Sequence, residues 1–224
     1  MKKRIVSILL AAVLLCTLLP QITLISHAET YSGACGDNLT WSLNTETGKL
    51  TVKGSGEMKD YGMSPYPWSQ YRASIKSVSL PNGLTSIGSY AFELCTGLTS
   101  VTIPASVTKI GYRVFGVCTG LTSVTIPNSV TEIEQEAFSG CRGLTSITIP
   151  ARVTRIGRSA FSGCTGLTSV TIPASVTEIG EQPFNGCTGL EKIKVATGNT
   201  CYSSDTKGVL FDKNKSNLIC CPGG

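Results

Sequence analysis

A 23-residue phrase recurs five times without interruption and constrains the fold of this chain more than any other feature. One copy, residues 98–120, reads LTSVTIPASVTKIGYRVFGVCTG, and near-copies occupy residues 75–97, 121–143, 144–166 and 167–189. We call the five copies coils 1 to 5 in chain order and number positions 1 to 23 within each. A sixth copy begins at residue 190 and departs from the pattern after residue 195. Self-similarity at such a period is typical of a solenoid, in which each repeat stacks only on its neighbours.

The apolar positions of the repeat predict which parts of each coil are buried. In coils 2 to 5, Leu at position 1, Val or Ile at position 4 and Ile at position 6 are interleaved with Ser and Thr, as in a strand with one buried face. Pro at position 7 lacks an N–H and ends that strand. We therefore predict a mostly β solenoid of parallel stacked coils. Strands at positions 3–6 should form a parallel sheet, and each coil should close with a short turn or a single helical turn.

The sequence predicts four parts of the chain, namely the repeat array, two segments before it and one after it. Residues 1–28 combine a basic start, an apolar run and small residues before Ala28, which is typical of a secretory signal peptide cut after Ala28. Residues 29–74 contain two alternating stretches around a turn-rich link, which predicts an N-terminal cap with a β-hairpin. The array then covers 75–195, and 196–224 is an irregular C-terminal repeat or hairpin. No clear cap follows, so we expect an uncapped C-terminal end that permits oligomerisation.

Charge and histidine content exclude several functional classes. The chain carries +5, and residues 1–28 hold three basic and no acidic residues, so the mature chain carries 16 − 14 = +2. That small charge does not indicate a nucleic-acid partner. The single histidine, His27, lies in the removed segment, which argues against Ser-His or Cys-His catalysis and against histidine metal sites. We expect no enzyme activity, no cofactor, no bound metal, and no integral membrane segment after signal removal.

Two columns of the repeat are predicted to be structural. Position 18 should form an internal aromatic column, and position 21 a ladder of buried thiols that act as small hydrophobes, because five thiols with parallel Cβ vectors cannot all pair. The cysteines outside the ladder are candidates for disulfides whose pairing the sequence does not determine. The aromatic column is Phe92, Phe115, Phe138, Phe161 and Phe184; the thiol ladder is Cys95, Cys118, Cys141, Cys164 and Cys187; the other cysteines after residue 28 are Cys35, Cys201, Cys220 and Cys221.

Charged residues at position 12 alternate in sign down the array. The predicted charge ladder is Lys109, Glu132, Arg155 and Glu178. Exposed pairs of this kind stabilise by only about 0.2–1 kcal/mol each, so we interpret the ladder as a register device, with a charged ligand-recognising stripe as the alternative. A group of four arginines near coil 4 has two interpretations, a small anion or glycosaminoglycan site, or solvated charge neutralised by nearby glutamates, and we favour the second. The group is Arg142, Arg152, Arg155 and Arg158.

Positions 2, 3 and 5 are predicted to point outward and to form a flat hydroxyl-rich surface, which we call the Ser/Thr face. Thr favours strands, so a solvated face without a partner is one interpretation, and an adhesive surface that contacts protein or glycan is the other. The residues of the Ser/Thr face are Thr99, Ser100, Thr102, Thr122, Ser123, Thr125, Thr145, Ser146, Thr148, Thr168, Ser169 and Thr171.

The repeat pattern Leu-x-x-Val-x-Ile-Pro, followed by Val-x-x-Ile-Gly and Ala-Phe-x-x-Cys-x-x-Leu, resembles the BspA-like subclass of leucine-rich repeats over residues 75–195. The resemblance implies a leucine-rich repeat solenoid of the α/β horseshoe class. It also implies a secreted or cell-surface bacterial protein that adheres to host matrix or other cells through extracellular protein or glycan ligands. The alternative is a structural spacer or stalk within a longer surface protein, with recognition or catalysis elsewhere.

Overall fold

The computed structural model describes residues 29–62 and 65–223. The predicted signal peptide at residues 1–28 lies outside the described residues. Within the described ranges, no helix is long and apolar enough to cross a membrane. The described chain is mostly β with little helix, as the sequence predicts.

The N-terminal segment folds as a three-stranded antiparallel sheet that runs directly into the array. The predicted hairpin is confirmed as β2 (Leu39–Asn44) and β3 (Lys49–Glu57), and β1 (Thr30–Gly36) adds a third strand beside β2. A short 3₁₀ helix (Ser69–Ser74) follows. β3 also pairs in parallel with β4 (Ser77–Ser79) and β5 (Gly83–Ile87) of coil 1, so this segment is hydrogen-bonded to the array. The boundary at residue 74 stays a prediction.

The coils stack in parallel as predicted, but the continuous sheet lies on a different side of the coil from the one that the sequence indicates. Positions 12–13 contribute β5, β7 (Lys109–Ile110), β9 (Glu132–Ile133), β10 (Arg155–Ile156) and β12 (Glu178–Ile179), which pair in unbroken succession. Positions 3–6 contribute β4, β6 (Ser100–Thr102), β8 (Ser123–Thr125), β11 (Ser169–Ile172) and β13 (Lys192–Val195). These form two separate pairs, β6–β8 and β11–β13.

Coil 4 interrupts the predicted sheet at positions 3–6. It contributes no strand there, only an isolated bridge between Ser146 and Ser169. In coils 3 and 5 the Ser at position 9 donates a hydrogen bond to a carbonyl of the preceding coil, from Ser129 Oγ to Val107 O and from Ser175 Oγ to Val153 O, at 2.6 Å in both cases. Coil 4 has Arg152 at this position. The hydroxyl that fastens the end of this strand to the preceding coil is therefore missing where the sheet breaks.

A column of aromatic rings forms the centre of the solenoid. Phe92, Phe115, Phe138, Phe161 and Phe184 are fully buried and stacked, with ring centroids 5.4–5.5 Å apart. Trp68 extends the column at the N-terminal end, stacked on Phe92 at 5.9 Å, and its Nε1–H donates to the carbonyl of Ala91. The aromatic cluster before the array thus covers the first ring of the column.

Each coil closes with a tight turn at positions 16–20. The described residues contain no α-helix. The residue at position 16 has a positive φ in all five coils. The residue at position 20 also has a positive φ in every coil; these residues are Leu94, Val117, Gly140, Gly163 and Gly186. In coils 1 to 4, three N–H groups of each turn donate to carbonyls of the next coil, such as Phe115 N to Ala137 O at 2.9 Å. Backbone bonds between coils therefore hold the turn in a conformation that Val117, as a β-branched residue, disfavours.

The C-terminal end of the array is covered, which corrects the expectation of a bare end. A three-stranded antiparallel sheet follows coil 5, with β14 (Tyr202–Ser204), β15 (Leu210–Asp212) and β16 (Leu218–Cys220). The buried side chain of Asn199 fixes the junction, because its Nδ2 donates to the carbonyls of Pro173 and Val176 while its Oδ1 accepts from two backbone N–H groups. Phe184, the last ring of the column, is fully buried.

Candidate functional site

The Ser/Thr face is exposed at all twelve predicted residues. The hydroxyls at position 2 are partly committed to the fold, because Thr122 Oγ1 donates to Thr99 O at 3.0 Å and Thr168 Oγ1 donates to Thr145 O at 3.4 Å. Positions 3 and 5 differ: within the described ranges their eight hydroxyls make no hydrogen bond to another residue. These eight groups can accept and donate hydrogen bonds to a ligand. They are Ser100, Thr102, Ser123, Thr125, Ser146, Thr148, Ser169 and Thr171.

The columns at positions 3 and 5 continue beyond the coils at both ends, which repeat analysis missed. In β13, Lys192 pairs with Ser169 and Lys194 with Thr171, and both lysines are exposed. In β3, Lys49 pairs with Ser77 and Thr51 with Ser79. Side chains at paired positions of parallel strands lie on the same face of the sheet. The sequence signal was available, since Lys192 and Lys194 occupy positions 3 and 5 of the partial sixth copy.

Two shallow grooves cross this face. One, of about 460 Å³, lies where Lys49 meets coils 1 and 2, beside Ser77, Ser79 and Thr102. The other, of about 340 Å³, lies between coils 4 and 5, beside Thr148 and Thr171. The second groove coincides with the missing strand of coil 4. The face therefore offers shallow relief rather than a closed pocket, which suits an extended ligand.

The charged residues at position 12 stand in register, but the principal acidic partner is a different residue from the one predicted. Lys109, Glu132, Arg155 and Glu178 are paired along the sheet. Lys109 Nζ lies 3.9 Å from Glu132 but 2.8 Å from Glu134, and Arg155 Nη1 lies 3.3 Å from Glu134. Arg155 also contacts Glu178 at 3.0 Å. Glu134 replaces the Gly found at position 14 in the other coils, and it links coils 2 and 4 through coil 3.

The pKa of Glu134 reflects this arrangement. Partial burial opposes ionisation, but the hydrogen bond from Lys109 and the positive charges of Lys109 and Arg155 outweigh it and lower the pKa of the carboxyl below its ordinary value. The same hydrogen bond raises the pKa of Lys109. Sequence reasoning named Glu134 only as a departure from the repeat and as one of the glutamates that neutralise the group of four arginines. A charged residue where four other coils have Gly was the available signal.

The position 21 thiols are fully buried, and they also act as hydrogen-bond donors. The Sγ atoms of Cys118, Cys141, Cys164 and Cys187 each lie 3.0–3.2 Å from the carbonyl of the Phe one coil earlier. Burial raises the pKa of Cys118 to about 12. Burial also raises the pKa of Cys95 and Cys141, so these three thiols stay protonated at neutral pH and are poor nucleophiles.

The four cysteines outside the ladder are also free thiols. Cys35 is buried in β1 at the N-terminal end, whereas Cys201, Cys220 and Cys221 lie beyond coil 5 at the opposite end. Cys35 therefore has no partner within reach among these three, since a disulfide needs Cα atoms within about 7 Å.

A cleft of about 930 Å³ lies between β1, β3 and coils 1 to 3. Its wall carries Asp37, Glu57, Asp60, Lys59 and Lys109. Asp60 is engaged in the fold, because its Oδ1 accepts a hydrogen bond from the backbone N–H of Ser89 at 2.6 Å. Among the residues that the structure describes, no group of three or more potential metal ligands converges. The cleft combines two distant parts of the chain, so the repeat pattern gave no sign of it.

Comparison with known proteins supports the solenoid. The family model described as "BspA type Leucine rich repeat region" matches residues 68–191 in six copies. No curated protein matches the chain. Among solved structures, a leucine-rich repeat protein from Eubacterium ventriosum is 31% identical with a TM-score of 0.77, over 87% of this chain and 51% of that one. The chain therefore spans about half the length of that protein.

Two further structures are similar. A leucine-rich repeat protein from Bacteroides ovatus is 30% identical with a TM-score of 0.50, over 70% of this chain and 40% of that one. A leucine rich cell surface protein from Faecalibacterium prausnitzii is 27% identical with a TM-score of 0.56, over 88% of this chain and 62% of that one. All three similarities cover the greater part of this chain.

Proposed function

Because the chain belongs to the BspA-type leucine-rich repeat family, we propose that it is a secreted or cell-surface bacterial binding protein without catalytic activity. The cell-surface description of the similar Faecalibacterium prausnitzii protein and the predicted signal peptide support this location. Its ligands would be extracellular proteins or glycans of host matrix or other cells. The role rests partly on family analogy, because a fold alone does not fix a function.

One observation carries the proposal: the eight hydroxyls at positions 3 and 5 are exposed and make no hydrogen bond within the described chain. Hydroxyls that served only the fold would resemble those at positions 2 and 9, which donate to the neighbouring coil. A regular array of free donors and acceptors lets an extended ligand form many weak bonds at once. The proposal therefore assigns ligand contact to this face.

An array of immobilised glycans and matrix proteins, probed with the full chain, tests the proposal. Thr125→Val with Thr148→Val removes two hydroxyls and keeps the side-chain shape. At about 0.5–1.5 kcal/mol per hydrogen bond, we expect roughly a tenfold loss of affinity for any ligand found. Thr108→Val with Thr206→Val is the matched control, because these exposed threonines lie at position 11 of coil 2 and beyond the array, off the Ser/Thr face.

The alternative is a spacer or stalk segment of a longer surface protein. The chain spans about half the length of the Eubacterium ventriosum protein, which supports this alternative. A spacer would bind none of the immobilised glycans or matrix proteins at micromolar concentration. Binding that both double variants retain in full would also contradict the assignment of the Ser/Thr face.

A further inference from the structure

The charges of the array are segregated between two sides of the solenoid. Coils 1 to 5 contain six acidic residues, all at positions 12–19, and each forms an ion pair with a cation from the same side. Glu93 and Glu136 pair with Arg113, for example, and Glu181 pairs with Arg158. Positions 1–11 of these coils contain no acidic residue. Within coils 1 to 5, acidic side chains are therefore confined to positions 12–19, away from the hydroxyl columns at positions 3 and 5.

The Ser/Thr side carries cations that make no ion pair with any residue of the described ranges. Lys49 lies at one end of the position 3 column, and Lys192 and Lys194 end the position 3 and 5 columns at the other. Between them, Arg142 and Arg152 flank the strand-less segment of coil 4, where other coils have Thr at position 22 and mostly Ser at position 9. All five are exposed. Of the four clustered arginines, Arg155 and Arg158 form ion pairs with glutamates. Arg142 and Arg152 do not form an ion pair within the described ranges.

The chemistry of the face favours a polysaccharide over a protein. Protein interfaces depend on buried aromatic and apolar anchors, and positions 2, 3 and 5 of coils 2 to 5 hold only Ser and Thr. Hydroxyls that both donate and accept match the hydroxyls of sugars, and lysines at the two ends match acidic substituents spread along a chain. Six strand spacings of about 4.8 Å separate Lys49 from Lys192, a distance of about 29 Å.

We infer that the Ser/Thr face binds an extended anionic polysaccharide, sulfated or rich in uronic acid, which lies across the coils from Lys49 to Lys192 and Lys194. The inference rests on the proposed function and specifies its ligand class. The hydroxyls hold the sugar rings, and the terminal lysines with Arg142 and Arg152 hold the acidic groups. Glu191, at position 2 of the sixth copy, limits the positive potential at one end.

Dextran sulfate and uncharged dextran are the matched probes, with polygalacturonate as a carboxylated one, and biolayer interferometry on the full chain measures affinity. We expect dextran sulfate to bind and uncharged dextran not to bind. Lys192→Gln with Lys194→Gln should weaken binding about fivefold, because two exposed charge contacts are lost. Lys49→Gln should weaken binding of a long polymer as well, since it acts at the other end of the face.

Lys59→Gln with Arg158→Gln removes two exposed charges from the opposite side and should leave affinity unchanged. Equal losses in the two double variants would overturn the inference, because they indicate non-specific attraction to net charge. Stronger binding to phosphatidylglycerol vesicles or to single-stranded DNA than to both polysaccharides would also overturn it. A ligand that binds through Thr125 and Thr148 but is uncharged, or is indifferent to the lysines, refutes the anionic class while the proposed function stands.

Discussion

The ion pairs of Glu134 lead to a quantitative prediction about the stability of the solenoid. Exposed ion pairs stabilise by about 0.2–1 kcal/mol each. Glu134 has a side chain that is 19% exposed and two cations at 2.8 and 3.3 Å, whereas Glu132 is 40% exposed with one cation at 3.9 Å. We expect Glu134→Gln to lower the free energy of unfolding by about 1–1.5 kcal/mol and Glu132→Gln by about 0.3 kcal/mol or less.

Thermal melts followed by circular dichroism measure both effects. For a chain of this size, 1 kcal/mol corresponds to about 2–4 °C, so Tm should fall by about 3–5 °C for Glu134→Gln and by less than about 1 °C for Glu132→Gln. Salt at 1 M, which shortens the Debye length from about 8 to 3 Å, should reduce the difference. A double-mutant cycle with Lys109→Gln isolates the shorter pair.

Acid should abolish the effect of Glu134→Gln. The pKa of this carboxyl is lower in the folded state than its ordinary value of 4.5, so its contribution is complete above that pH and is lost as the pH falls through the lowered folded-state pKa. Wild type and variant should therefore converge in stability below that point. Equal effects of the two substitutions at pH 7, or a difference that grows as the pH falls below 4.5, would refute the assignment of Glu134 as the central acidic residue.

Three further predictions concern the columns and turns of the coil. Phe138→Ala should destabilise by about 3–5 kcal/mol, because it leaves a cavity between the rings of Phe115 and Phe161, and an unchanged Tm would show that the column is not core. Gly140→Val should destabilise by about 1–2 kcal/mol at its positive φ of 74°, whereas Val117→Gly at 57° removes the same strain; chemical denaturation with opposite signs for the two variants is the expected result. In protein that begins at residue 29, a thiol reagent should label Cys221 rapidly and leave the five ladder thiols unreacted until unfolding, and rapid labelling of Cys118 would contradict its burial.

The repeat made most of the fold predictable, because every coil repeats the same contacts and errors in one copy are corrected by the others. The parallel stacking and the N-terminal hairpin follow from periods of 23 and 2 in the sequence. The position of the continuous sheet did not follow, since strands at positions 12–13 are only two residues long and too short to show alternation. The covered C-terminal end was not predictable either. Asn199 fixes its junction with coil 5 through four hydrogen bonds, and no sequence pattern predicts such bonds for a single polar residue outside the repeat.

Candidate site residues were predictable where they sit in columns and not where they depart from them. The exposed positions of the Ser/Thr face follow from strand alternation. Glu134, Arg142 and Arg152 were visible as departures, but whether each is paired depends on side-chain geometry across coils. The cleft beside Asp37 and Lys109 is lined by residues of the N-terminal sheet and of coils 1 to 3. These residues are far apart in the sequence, so neither the repeat nor strand alternation predicts that they line one cleft.

The alternating charges of position 12 have a consequence for how arrays of this kind can change length. Their sign repeats every two coils, whereas the backbone bonds repeat every coil. Deletion of residues 144–166 would preserve the backbone pattern but would bring Glu132 beside Glu178 and leave Glu134 without Arg155. Deletion of residues 121–166 would instead place Lys109 beside Glu178, an attractive pair. The stable unit of gain or loss in this part of the chain is therefore 46 residues, an even number of coils.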